Sequence, residues 1–304
     1  MNGQDLGRFD WYTATLEGQP DSLQDALRSR LGADREGFRT PRHGYHSREL
    51  WRAPTGLEVD IQHGGSNPGG VCATAAGAWA APFAALVREL APDHRVTRAD
   101  VAIDWTEPGG YDRWKPVLRQ VADEQRVQHV REVHDDGRGH DGRTYYLGSP
   151  ASVVRVRMYE KGLQQLAEGR RTGVLPILAE EWLDEGRSIV DWMRLEIVVR
   201  PDGRDAKAAM AKVEPGAFWG CSRWSRVLAD RVMDAKLERL RVGSVRKASD
   251  DDRMLRSMVR QYRHVLERLR DASGWEGVGS RIGELCSQLD AEADAVKRVQ
   301  RRQG

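Results

Sequence analysis

Residues 152–161 carry the side chains of this sequence that are most suited to chemistry. Side chains alternate between the two faces of a β-strand, so every second residue of this segment would share a face. That face carries Arg155, Arg157, Tyr159 and Lys161. Cations beside a tyrosine favour the phenolate, which lowers the pKa of the tyrosine, and they also bind phosphate. Tyr159 is therefore a candidate nucleophile for a DNA phosphate, with half-buried packing as the alternative.

A second predicted strand, residues 98–105, carries two carboxylates on one face. Asp100 and Asp104 lie on either side of Ala102 and offer the oxygen ligands that Mg²⁺ or Mn²⁺ prefers. An ion pair with a nearby arginine is the alternative for Asp100. Metal binding is favoured for Asp104, because a carboxylate inside an apolar strand is costly unless it is paired or bound to metal.

A third predicted strand, residues 192–200, places Arg194 and Glu196 on its polar face. Glu196 is a candidate metal ligand or general base, and a salt bridge on an exposed sheet face is the alternative. A cation held by such carboxylates would polarise a scissile phosphate.

Several other chemistries have no matching motif in the sequence. No glycine-rich loop ends in Gly-Lys-Ser/Thr, and there is no Gly-x-Ser-x-Gly segment. The eight histidines form neither a His-x-x-x-His pair nor a His-hydrophobic-His pair. The three cysteines lie far apart, which predicts neither a zinc site nor a disulfide framework and fits a reducing compartment.

The elements that must position these residues alternate between strands and helices over the first two thirds of the chain. Strands are predicted at residues 9–16, 98–105, 144–147, 152–161 and 192–200, with a hairpin at 49–62. Helices are predicted at 21–31, 79–90 and 111–128, and a polar turn at 135–142. Nearly everything after residue 205 is predicted to be helical. The pattern is typical of an α+β fold, with an antiparallel sheet and crossover helices in a catalytic domain of residues 1–203. A helical C-terminal domain, residues 204–304, would follow.

The helical region has an apolar stripe and a set of arginines beside it. The stripe repeats at helical spacing and predicts a bundle core more than a binding groove; it comprises Met254, Leu255, Met258, Tyr262, Val265, Leu266 and Leu269. The arginines off the stripe, which would face DNA or water, are Arg253, Arg256, Arg260 and Arg263. Basic residues outnumber acidic ones from residue 222 onward, although the net charge of the chain is only +2. DNA binding or dimerisation is the role we expect for this region.

The sequence predicts a soluble, cytoplasmic protein without a membrane partner. The polar N-terminus has no signal-peptide pattern, and the longest apolar run, residues 75–90, is interrupted by Gly77 and Pro82.

Four short motifs occur in a fixed order along residues 98–196. They are Arg98-x-Asp100-x-Ala102-x-Asp104, Tyr146-Leu-Gly148-Ser149-x-x-Ser152, Arg157-x-Tyr159-x-Lys161-Gly162 and Trp192-x-Arg194-x-Glu196. In this order and at these distances they resemble the replication initiation factor family. That family comprises initiators of rolling-circle plasmids and filamentous phages, together with related relaxases of conjugative elements. The resemblance covers roughly residues 9–203.

The resemblance implies a relaxase-like nicking fold in which carboxylates hold Mg²⁺ or Mn²⁺. Tyr159 would cleave one DNA strand, form a 5′-phosphotyrosyl link and leave a free 3′-OH. Asp104, Glu196 and Asp100 would be metal ligands, with Glu196 also a candidate base. The phosphate contacts would be Arg155, Arg157, Lys161 and Arg194.

The same resemblance implies the partners. The substrate would be origin DNA, single-stranded or cruciform at the nick site, and a homodimer and a host helicase are further expectations. Two alternatives stay open: a non-catalytic, sequence-specific DNA-binding regulator on the same scaffold, and an RNA-processing nuclease that does not depend on Tyr159.

Overall fold

The structure, a computed structural model, describes residues 7–65, 70–133, 142–242 and 250–303. Side chains at 250–253, 256–257, 260 and 291–303 are not described. The chain forms two compact units, Met1–Val245 and Arg246–Gly304, and each is treated by itself.

The first unit is built on one ten-stranded sheet in the order β2-β3-β4-β5-β1-β6-β10-β9-β8-β7. The strands are β1 Arg8–Leu16, β2 Asp34–Phe38, β3 Ser47–Arg52, β4 Glu58–His63, β5 Val71–Ala76, β6 Arg95–Thr106, β7 Val130–Val133, β8 Thr144–Leu147, β9 Val154–Glu160 and β10 Trp192–Val199. Every neighbouring pair is antiparallel. The predicted α+β fold with an antiparallel sheet is confirmed.

Helices connect and cover these strands. They are α1 Asp21–Leu31, α2 Ala80–Leu90, α3 Gly110–Glu124, α4 Lys161–Thr172, α5 Ile177–Asp184, α6 Arg204–Met210 and α7 Arg223–Met233. Two 3-10 helices, Gly77–Trp79 and Pro215–Cys221, also belong to this unit. Among the described residues, no helix has both the length and the hydropathy needed to cross a membrane.

The two faces of the sheet differ in chemistry because polar and apolar side chains alternate along its central strands. On one face Leu195 lies opposite Ile103 and Met158, and this apolar face packs against Phe83 of α2 and Leu118 of α3 in the main core. The other face, which we call the polar face, carries the charged positions of β6, β9 and β10. Because β10 is buried at all eight positions, its charged residues lie deep inside the sheet.

Gly162 allows α4 to lie close to the segment before β10. A Cβ at this position would lie 1.5 Å from the carbonyl oxygen of Ile189, so any side chain would push the two segments apart. The start of α4, directly after β9, is fixed against the sheet by this contact.

Several predicted boundaries change. The predicted strand 152–161 ends at Glu160, and Lys161 is the first residue of α4. Strand β5 was not predicted, since its sequence, Val-Cys-Ala-Thr-Ala-Ala, resembles the start of an alanine-rich helix; it is a strand because β4 and β1 pair with its two edges. Residues 134–141, most of the predicted turn, lie outside the described residues.

The compact units divide after Val245 rather than at residue 203. Helices α6 and α7 and the second 3-10 helix lie between these two points and belong to the sheet unit. Phe218 and Trp219 are fully buried in the same core as Val199 of β10, which is why the sequence after 203 does not separate from the sheet.

The second unit contains one helical segment, α8, Asp250–Gln303, with non-helical backbone at Tyr262 and Gly274. Along the predicted stripe, Met254 and Tyr262 are exposed, at 72% and 48%, as is Leu255. The other four positions, Met258, Val265, Leu266 and Leu269, are half-buried, so the bundle core stays a prediction. Arg263 pairs with Glu267 at 2.8 Å, and the side chains of Arg253, Arg256 and Arg260 lie outside the described residues. DNA binding or dimerisation by this region stays a prediction.

Candidate active site

The register of β6, β10 and β9 brings the predicted site residues together on the polar face. Arg194 lies directly between Asp104 on β6 and Tyr159 on β9. Directly opposed residues of antiparallel strands point to the same face, so these side chains meet. One step along, Glu196 lies opposite Arg157.

Tyr159, Glu196 and Arg157 form one hydrogen-bonded group. The Tyr159 hydroxyl donates to Glu196 Oε2 at 3.1 Å, and Arg157 Nε donates to Glu196 Oε1 at 2.9 Å. Glu196 is fully buried and Tyr159 is 4% exposed. Glu196 is therefore both the proton acceptor of the tyrosine and the ion-pair partner of the arginine.

The expected effect of the cations on Tyr159 is wrong. Burial raises the pKa of Tyr159 well above its usual value of 10.0, and the negative charge of Glu196 raises it further. Arg194 and Arg157 act in the opposite direction but do not outweigh these two effects. The sequence pattern showed the arginines but not the depth of the strand, so this tyrosine is a phenol that needs a base to lose its proton.

Glu196 has the properties of such a base. Burial raises its pKa to about 7, and the nearby carboxylates Asp100 and Asp10 add to the shift, although Arg157 opposes it. A carboxylate with a pKa near neutrality can take a proton from a neighbouring hydroxyl at physiological pH.

Arg194 organises a second group beside the first. Its Nε donates to Asp104 Oδ1 at 2.7 Å, and its Nη1 donates to Asp10 Oδ1 at 2.6 Å. Trp192 Nε1 also donates to Asp104 Oδ1, at 2.8 Å. Burial alone would raise the pKa of Asp104, but Arg194, Arg8 and the Trp192 hydrogen bond together outweigh it, and the pKa is lowered. Arg194 is itself fully buried, so in this arrangement it joins two carboxylates instead of facing a phosphate.

Asp10 is a member of this group that the sequence analysis did not assign. Strand β1 has a register shift between Phe9 and Trp11, where Trp11 pairs with Asp100. The extra residue of such a bulge breaks the two-residue alternation, which is the only orientation signal that a strand sequence carries.

Lys161 lies close to Tyr159 although it belongs to α4. Its Nζ is 5.9 Å from the centre of the Tyr159 ring and donates to Gln164 Oε1 at 3.0 Å. Lys161 is 7% exposed, and burial together with the positive charge of Arg194 lowers its pKa to about 8. It is therefore a buried cation at the edge of the tyrosine site.

Each carboxylate that was assigned to a metal is bound by an arginine. Asp100 accepts from Arg98 Nε at 2.8 Å, and Asp104 and Glu196 accept from Arg194 and Arg157 as described above. Among the described residues, no group of three or more His, Cys, Asp or Glu side chains is arranged to hold a metal ion. As arranged here these carboxylates do not fit a divalent cation, since their oxygens face guanidinium groups that would repel it. Dependence on Mg²⁺ or Mn²⁺ stays a prediction.

Arg155 lies farther along β9, opposite Val198 of β10. Its guanidinium lies 4.0 Å from the centre of the Tyr146 ring. Of the four predicted phosphate contacts, Arg155 and Lys161 have no carboxylate partner among the residues that the structure describes, and Lys161 donates to Gln164 instead.

The chain is similar to solved structures but to no known family model. No family model matches the chain, and no curated protein matches it. A solved structure described as a rolling circle replication initiator protein from Geobacillus stearothermophilus is 19% identical, covering 81% of this chain and 89% of that chain, with a TM-score of 0.45. At this identity and TM-score, function has to be argued from the residues of this chain.

Proposed function

We propose that this protein nicks and rejoins single DNA strands, with Tyr159 as nucleophile and Glu196 as its general base. The observation that carries the proposal is the 3.1 Å hydrogen bond from the Tyr159 hydroxyl to Glu196 Oε2. A nucleophile within hydrogen-bond distance of a base, which is oriented in turn by a third group, is the arrangement that activates a hydroxyl. Arg157 is that third group.

In the proposed reaction the Tyr159 oxygen attacks phosphorus while its proton passes to Glu196. The bond between phosphorus and the 3′ oxygen breaks, and the 3′ oxygen takes a proton to become a free 3′-OH. The enzyme then carries a 5′-phosphotyrosyl link, and attack by a 3′-OH on that link reverses the steps and joins the strand. Because Tyr159 is 4% exposed, a phosphate reaches it only after neighbouring side chains move.

The order of the four motifs supports DNA as the substrate, since it resembles that of replication initiation factors. Initiation of rolling-circle replication or conjugative transfer is the role that such chemistry would serve. Cleavage leaves a 3′-OH that a polymerase can extend, and the covalent link preserves the energy needed for rejoining.

The test is the formation of a covalent protein–DNA adduct. The full chain is incubated with supercoiled DNA carrying the origin next to its gene, in Mg²⁺, in Mn²⁺ and in EDTA, and adducts are resolved on denaturing gels. We expect an adduct from the native protein, its loss in Tyr159→Phe, and a reduction of about 10²-fold or more in Glu196→Gln. An undiminished adduct from Tyr159→Phe would contradict the proposal.

The control variant is Tyr262→Phe, which removes a hydroxyl from an exposed tyrosine of the second unit. It should form the adduct as the native protein does. An adduct that forms equally well in EDTA would contradict the metal requirement alone, because neither Tyr159 nor Glu196 depends on it.

The non-catalytic alternative rests on a different observation, the internal pairing of Arg157 with Glu196 and of Arg194 with Asp104 and Asp10 around the buried Tyr159. If the native protein binds the origin but forms no adduct under any of these conditions, the charged face is a structural support for a DNA-binding regulator.

A further inference from the structure

The polar face continues beyond the tyrosine into a groove of about 1250 Å³ over β1, β3, β4 and β5. Among the residues that line it are Trp11, Arg48, Thr74, Arg98 and Arg200. Seven of the lining residues are Lys or Arg and three are Asp or Glu, so the groove is suited to a polyanion.

Arg200, which lines the groove, and Arg155, which lies outside its lining on β9, have no carboxylate partner among the described residues. Arg155 Nε and Arg200 Nη1 are buried and make no hydrogen bond there. Arg200 follows β10 directly, and its backbone N–H donates to Val153 O at 2.8 Å, just before the strand that carries Arg155. A buried N–H without an acceptor is costly, and native proteins keep such groups mainly where a ligand or water completes them.

The positive charges of this region repel one another. Burial lowers the pKa of Arg200, and Arg98, Arg155 and Arg157 lower it further, although Asp100 acts in the opposite direction. Burial also lowers the pKa of Arg155, with Arg157 adding to the effect. Arg98 and Arg157 each have a carboxylate, Asp100 and Glu196 respectively, so the excess positive charge belongs to Arg155 and Arg200.

Aromatic rings support two of the guanidinium groups. Arg98 lies 4.2 Å from the centre of the Trp11 ring, and Arg155 lies 4.0 Å from that of Tyr146. A ring beneath a guanidinium holds the arginine in place, and aromatic rings are also surfaces on which bases stack. Arg98 donates to Asp100, so Arg155 is the ring-supported arginine whose guanidinium has no carboxylate partner among the described residues.

We infer that Arg155 and Arg200, with Arg98 at the mouth of the groove, bind a phosphate of a single DNA strand and direct that strand from Tyr159 into the groove. The inference rests on the proposed function for its choice of DNA. Arg155 lies four residues before Tyr159, about 13 Å along an extended strand. The bound phosphate would then be about two to four nucleotides from the cleaved one, depending on how far the strand is stretched.

The experiment measures binding, so cleavage is not needed. The full chain carrying Tyr159→Phe is titrated with a fluorescent oligothymidine of about 15 nucleotides at several salt concentrations. For single strands, each phosphate contact contributes about 0.7 to the slope of log K against log salt. Because both arginines contact the same phosphate, we expect Arg155→Gln and Arg200→Gln each to weaken binding about tenfold and to lower the slope by part of this amount, and the double variant to lower the slope by about 0.7.

The matched control is Arg119→Gln on α3, the helix that covers the apolar face; the Arg119 side chain is 60% exposed. It removes the same charge from the opposite side of the sheet and should leave the slope unchanged. Arg200→Lys keeps the charge and should retain the slope. Equal slopes for the control and for the Arg155 and Arg200 variants would overturn the inference.

Two further outcomes are informative. If the arginine substitutions weaken the binding of a duplex of the same length as strongly as they weaken the binding of the single strand, the choice of single-stranded DNA is overturned. If the variants lower the slope of log K against log salt while the native protein forms no covalent adduct, the result supports this binding site and rejects only the nicking chemistry.

Discussion

The polar face of the sheet has two regions that differ in how their charged side chains are paired. Around Tyr159, five charged residues satisfy one another: Arg157 with Glu196, and Arg194 with Asp104 and Asp10. Toward the groove, Arg155 and Arg200 have buried donors without acceptors in the described part of the chain. The first region is paired internally, and the second has donors that a ligand could satisfy. On the proposed function, the first region would position the chemistry and the second would bind the substrate.

Removing Arg194 should have the largest effect on stability. The substitution Arg194→Met leaves Asp104 and Asp10 as buried carboxylates without their main partner, which should cost about 3–5 kcal/mol of unfolding free energy. Urea unfolding followed by tryptophan fluorescence measures the loss. The matched control is Arg204→Met, whose arginine is 74% exposed and pairs with Glu17. If both variants lost the same unfolding free energy, the buried pairing around Arg194 would contribute no more to stability than an exposed ion pair does.

The pH dependence of stability should identify Glu196 in the paired region. Its pKa is raised from 4.5 to about 7, so the folded protein holds a proton that the unfolded chain releases. Below about pH 4.5 the protonated Glu196 contributes fully to the unfolding free energy. This contribution falls by about 3 kcal/mol in total as the pH rises from about 4.5 to about 7. The unfolding free energy of the native protein should therefore fall relative to that of Glu196→Gln between pH 5 and pH 8.

Glu180→Gln, at an exposed position of α5, should show no such pH-dependent difference from the native protein. A difference between the native protein and Glu196→Gln that grew in the opposite direction would mean that Arg157 outweighs burial and that Glu196 is not a base near neutral pH.

The smallest effect is expected in the groove region, with the opposite sign. Arg200→Gln removes a cation that is repelled by Arg98, Arg155 and Arg157 and attracted by Asp100, which is itself paired with Arg98. The melting temperature should be unchanged or slightly higher, corresponding to between 0 and about 1 kcal/mol. Strong destabilisation would show that Arg200 is structural and would remove the contrast between the two regions.

The alternation of side chains was enough to predict most of the site. Asp104, Arg194, Glu196, Arg157 and Tyr159 were each placed on the correct face of the correct strand, because a two-residue period needs only the sequence. Their strands are neighbours in the sheet, which the alternation alone does not reveal.

What the sequence did not predict depends on contacts between distant segments. Asp10 reaches the cluster through a bulge, Lys161 reaches it from a helix, and the partner of each carboxylate is decided by strand order. The pKa of Tyr159 is raised, whereas the sequence predicted that it would be lowered, because burial is a property of the whole fold. The same holds for α6 and α7, whose amphipathic sequences do not say which surface they cover.

Trp192, which donates to Asp104, also lies against Trp182 of α5, with ring centres 4.2 Å apart and planes 7° from parallel. Two indoles in this geometry couple their electronic transitions, so the pair should give an exciton signal in circular dichroism. A movement of Trp192 away from Asp104 would also separate or tilt the rings. The molecule thus contains its own optical reporter, and opening of the charged cluster could be followed in real time without adding a label.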